Sequence, residues 1–65
     1  QPQLSRRERE ILGLLSDGLS TDEVAEKLAL STHTVRTHVK NAMRKLDAST
    51  RAHAVAIALR DLSIR

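Results

Sequence analysis

The 65-residue chain is 40% apolar and 29% charged, with no aromatic residue and no cysteine, which is material for one small domain, residues 1–65, and no more. Without Cys there is no disulfide framework and no Cys-containing zinc site, as in a reducing compartment; without Phe, Tyr or Trp, bases cannot be stacked on aromatic platforms. The longest unbroken apolar run, residues 54–59, is far short of the roughly 20 residues that span a bilayer, and no secretory signal precedes it, so a soluble cytoplasmic domain is expected.

Ten Leu, eight Ala, four Val and three Ile must supply the whole core. With only two Gly and one Pro as breakers, that list points to a bundle of short helices rather than a sheet. Charge is uneven along it. Residues 1–30 hold four basic and six acidic residues, whereas residues 31–65 hold seven basic and two acidic, so a net charge of +3 conceals +5 on the second half. Residues 31–46 contain Arg36, Lys40, Arg44 and Lys45 and no acid, the asymmetry of a surface that meets phosphates. Many basic helices merely stay solvated, so charge alone does not decide.

Ser5 and Glu8 form an S-x-x-E capping box that predicts a first helix over residues 6–16, with Ile11, Leu12, Leu14 and Leu15 as a core stripe and Asp17-Gly18 as its end. Ser20 and Glu23 repeat the box for a second helix over 21–28, burying Val24, Ala25 and Leu28. These caps account for both serines without catalysis or phosphorylation. Residues 29–31 leave room only for a sharp turn, with Leu30 plugging the gap between two helices and Ser31 capping the next. Helix, tight turn, helix is the arrangement that places a second helix in a DNA groove.

The third helix is expected over 32–47. Val35, Val39, Ala42, Met43 and Leu46 recur at spacings of three and four and face the core, while His33, Arg36, Thr37, Lys40, Asn41 and Arg44 sweep the opposite side at about 100° per residue. An Arg one turn into such a helix can bond guanine O6 and N7 bidentately, whereas Arg44 and Lys45 fit phosphates better. His38 flanks the core stripe and is expected to pack. His33 and His38, five apart, do not share a face as metal ligands must, so no metal or other cofactor is expected. The fourth helix is expected over 50–61 with Val55, Ala58, Leu59 and Leu62 in its core stripe, which places Ile57 roughly 160° away and exposed, beside Ala56 and His53.

Taken in order, these residues resemble the C-terminal DNA-binding domain of LuxR/NarL-type (FixJ, GerE) bacterial transcriptional regulators. The likeness covers nearly the whole chain. It rests on Leu4, Ser5 and Arg7 to Leu12, on Gly18, Leu19 and Ser20, on Glu23, Val24, Ala25 and Leu28, and on Leu30 and Ser31. It continues through Thr34 to Val39, Arg44, Lys45 and Leu46, and Ser49 to Val55. The resemblance implies an all-α, tetrahelical helix-turn-helix domain of the winged-helix-like superfamily without a wing, forming the C-terminal part of a longer regulator. It implies base contacts from Arg36, Thr37 and Lys40, phosphate contacts from Thr21, His33, Thr34, Asn41, Arg44 and Lys45, and a homodimer edge of Ala52, His53, Ala56 and Ile57. Ala29 and Asp47 depart from the family's commoner Gly (or Asn) at these turns, where L side chains are strained if the backbone is left-handed.

The expected function is sequence-specific binding of double-stranded DNA in transcription regulation, with the third helix in the major groove of an inverted repeat, in a bacterial cytoplasm at the nucleoid. RNA polymerase is a further candidate partner. Two other functions share parts of the pattern: region 4 of an alternative sigma factor, and a helical module whose basic face meets an acidic protein. An enzyme is not expected, because no Gly-rich phosphate loop, clustered metal ligands or Cys nucleophile is present.

Overall fold

Both capping boxes form. The Ser5 hydroxyl accepts from the Glu8 N–H at 3.1 Å while the Glu8 carboxylate accepts from the Ser5 N–H at 2.8 Å, and the Ser20–Glu23 pair repeats this at 3.1 and 2.7 Å. From these starts run α1 (Arg6–Ser16) and α2 (Thr21–Leu28), at the bounds the sequence predicts. Next come α3 (Thr32–Leu46), capped by Ser31, and α4 (Arg51–Ile57), capped by Thr50 and continued by a π-helical turn, Ala58–Leu62. The structure, a computed structural model, describes residues 4–62, and the side chains of 4–60. Among these residues there are four α-helices and no strand, hence no wing.

The two later helices are shorter than expected. Asp47 leaves α3 in a left-handed conformation, Thr50 is spent as a cap, and the wider π-helical turn replaces α-helix from residue 58. Three helix ends share one device. Gly18, Ala29 and Asp47 all take positive φ, at 96°, 57° and 54°. After each, the next N–H reaches back across the last turn, from Leu19 to the Leu14 carbonyl, Leu30 to Ala25 and Ala48 to Met43, at 3.3, 2.9 and 2.9 Å. Gly18 adopts this at no steric cost, whereas the Cβ of Ala29 and of Asp47 costs about 1 kcal/mol or more. Because Ala29 is exposed, Ala29→Gly should relieve that strain by more than the chain entropy that Gly costs on folding, raising Tm by about 4 °C in a melting curve. An unchanged or lower Tm would mean the left-handed turn is not strained.

The core has two lobes joined through α1 and α3. Ile11, Val24, Ala25, Val35 and Val39 make the first, with Leu30 plugged against it as expected. Leu12, Ala42, Leu46, Ala54 and Ala58 make the second, and Leu15 and Met43 pack against both. Consecutive residues Ile11 and Leu12 thus serve different lobes, and α3 gives its first half to one and its second half to the other.

In α4 the expected core residues Ala58 and Val55 do pack inward, but the phase is shifted around them. Ala54 and Ala58 are fully buried, Val55 and Ile57 flank them half-buried, and Leu59 is 42% exposed. Ile57 is therefore packed against the second lobe rather than exposed, and Leu59 is outside the stripe it was expected to join. Leu62 falls outside the described side chains. The reason is size: two Ala side chains let α4 lie closer to α1 and α3 than Val or Leu would, and close approach outweighs the larger transfer energy of Leu59.

Candidate nucleic-acid interface

The outer face of α3 follows from the helix period. With Val35, Val39, Ala42 and Leu46 buried, His33, Arg36, Thr37, Lys40, Arg44 and Lys45 are exposed and Thr34 and Asn41 half-exposed. No acid lies anywhere on α3. His38 is half-buried at the margin.

Hydrogen bonds sort the polar side chains. The Ser31 hydroxyl accepts from the Thr34 N–H at 3.0 Å and donates to the Thr34 hydroxyl at 2.8 Å. The Thr34 proton is thereby left free to donate. Thr37 is the reverse case, since its hydroxyl donates to the His33 carbonyl one turn back at 3.0 Å. It presents lone pairs and a methyl group to the exterior.

Both ends of α3 are tied to other helices. At its start the Thr32 hydroxyl donates to Asp22 on α2 at 3.2 Å. At its end the Lys45 ammonium meets the Glu8 carboxylate on α1 at 2.8 Å. Glu8 is only 4% exposed. Burial alone would push its carboxyl up, but the Lys45 ammonium and the Ser5 hydrogen bonds together outweigh it and hold the pKa below the ordinary glutamate value. Lys45, assigned by resemblance to phosphate, thus has one donor engaged by a buried carboxylate and two remaining.

A carboxylate whose pKa is depressed on folding adds stability above its unfolded pKa and loses it as pH falls. The advantage of the wild-type chain over Glu8→Gln should hold from neutral pH to about pH 5 and shrink below the ordinary glutamate pKa of about 4.3. Melting curves of both proteins across that range test this, and a constant difference would contradict it.

Thr21, expected at phosphate, is half-buried at the start of α2 and accepts from the Arg51 guanidinium at 2.8 Å. The two line a hollow of about 230 Å³ with Arg36, Val39 and Lys40. Sequence reasoning missed Arg51, Asp22 and Glu8 at this surface. Residue spacing carries no sign of a bond between positions 21 and 51, although Arg51 directly follows a capping Thr and is the one Arg in the expected first turn of the fourth helix. On α4, Ala52, His53 and Ala56 are exposed together, and half-buried Ile57 lies at their margin.

The result is a basic, acid-free helix held at both ends on a helix-turn-helix scaffold. A family model described as bacterial regulatory proteins, luxR family, matches residues 2–58. The chain belongs to the luxR family. It is 45% identical over 60 residues to the spore germination protein GerE of Bacillus subtilis, covering 92% of this chain and 81% of that protein. It is 46% identical over 59 residues to the probable transcriptional regulatory protein NarL of Mycobacterium tuberculosis, covering 91% of this chain but 27% of NarL. The solved structure of the transcription factor GerE superposes with a TM-score of 0.86 at 41% identity, covering 94% of this chain and 90% of that one. The response regulator ChrA of a heme-sensing two-component system gives 0.88 at 38% identity, covering all of this chain and 32% of ChrA.

Members of the luxR family are helix-turn-helix regulators that bind DNA to control transcription, and they are not enzymes. Family membership thus selects the regulator over the sigma-factor region and the protein-interaction module. Among the described residues no helix is long and apolar enough to cross a membrane.

Proposed function

We propose that this luxR-family domain reads a specific DNA sequence by laying the outer face of α3 in the major groove. The observation that carries this is the conjunction of exposed Arg36, Thr37 and Lys40 on an acid-free helix with ties to α2 and α1 at its two ends. Arg36 supplies a donor fork for guanine. Thr37, its proton engaged, offers an acceptor to an exocyclic amine or its methyl to thymine, and Lys40 reaches a base acceptor one turn on. Thr21, His33, Thr34, Asn41 and Arg44 take the flanking phosphates. Lys45 serves first to orient α3 and contributes to phosphate binding with its remaining donors. Phosphates supply most of the affinity and the base contacts the selectivity.

Few contacts fit on one small domain, so the active form is a homodimer on an inverted repeat with half-sites roughly 10 base pairs apart. Ala52, His53 and Ala56 support the fourth helix as the dimer edge, with Ile57 at its margin. The setting is the bacterial cytoplasm and nucleoid, the domain being the DNA-binding part of a longer regulator and RNA polymerase a further partner. Selection of bound duplexes from a random pool, followed by footprinting, tests the reading. A palindromic site protected over two adjacent turns is expected. A pool that yields no consensus would overturn sequence-specific reading, and a single half-site holding one chain at saturation would overturn the dimer.

A further inference from the structure

Arg51 opens α4, on the element assigned to dimerisation, yet its guanidinium turns to the opposite task. Its Nη1 donates to the Thr21 hydroxyl at 2.8 Å, and both residues line the hollow shared with Arg36, Val39 and Lys40. Three cations therefore border one hollow that no carboxylate lines. Among the described residues none of the three has an ion-pair partner. Gathered like charges without a counter-charge repel one another, and an external anion relieves that repulsion.

The chemistry of the Arg51–Thr21 bond specifies the anion further. Because the Thr21 oxygen accepts from Arg51, the hydroxyl proton is directed away from the guanidinium and is available as a donor. Arg51 has used one of five donors, and its planar fork matches a pair of phosphate oxygens. The result is a clamp of one hydroxyl and one guanidinium beside Arg36 and Lys40. A duplex whose groove holds α3 carries its sugar-phosphate strand past such a position. We propose that Arg51 and Thr21 together hold a backbone phosphate of the DNA, so that the fourth helix binds the duplex directly. This deepens, and rests on, the DNA-binding reading above.

The test uses a duplex of about one turn that carries a single half-site, too short for two half-sites a turn apart, so that dimerisation drops out of the measurement. Arg51→Gln keeps a donor for Thr21 and removes the charge; Arg51→Lys keeps the charge. Arg51→Gln should weaken binding about tenfold on preferred and scrambled duplexes alike and reduce the slope of log affinity against log salt by about 0.9. Arg51→Lys should retain the slope. Thr21→Val should also weaken both duplexes, and the double variant should be little weaker than Arg51→Gln alone. A wild-type slope in Arg51→Gln would make Arg51 a brace for Thr21 and overturn the clamp, as would undiminished affinity in Thr21→Val. Failure of the wild-type chain to bind any duplex would instead overturn the DNA-binding reading itself.

Discussion

Arg36→Ala should abolish the preference of the domain for one base pair of its site while leaving its affinity for scrambled DNA almost unchanged. The guanidinium is exposed on α3, one turn after the Ser31 cap, where a helix in the major groove meets base edges. A bidentate Arg–guanine pair is worth about 1–3 kcal/mol of discrimination, or roughly 5- to 150-fold. Arg44→Ala, two turns on, should weaken binding to every duplex by the same factor and flatten the salt dependence by about one phosphate. Competition assays with a set of duplexes varied one base pair at a time separate the two. Equal losses on all duplexes for both variants would remove Arg36 from base reading.

The largest effect on stability is expected from Leu12→Ala. Leu12 is fully buried where the second lobe meets α1, and truncation there leaves a cavity worth about 2–5 kcal/mol. A domain of this size has roughly 3–10 kcal/mol in total, so a fall in Tm of about 15 °C or outright unfolding should appear in a melting curve. Leu59→Ala, by contrast, removes a side chain 42% exposed on the outside of the π-helical turn and should change stability by no more than about 0.5 kcal/mol. Comparable losses from the two would restore the core stripe that the sequence implies for the fourth helix.

That fourth helix marks the limit of what periodicity can tell. In α1, α2 and α3, Ile, Leu and Val sit on the inner face, and size and position agree. In α4 every candidate stripe contains small residues, so a rule that favours the bulkiest side chains finds Ala58 but adds Leu59 to it, where packing adds Ala54. The candidate interface divides in the same way. The outer face of α3 was legible because one helix carries all of it, and the period alone turns Arg36, Thr37 and Lys40 outward. Glu8, Asp22 and Arg51 were not, because each matters through a partner 37, 10 or 30 positions distant. Such partners are set by how helices cross, which spacing within one helix does not encode.

The buried pair Ala54 and Ala58 has a bearing on the regulator as a measuring instrument. If two copies join through their fourth helices, the distance between their reading helices is set by how deeply each α4 is seated in its own domain. Two methyl groups define that depth. Enlarging either, as in Ala54→Val, would lift the helix and change the half-site spacing the pair accepts, without touching a residue that meets DNA or the partner copy.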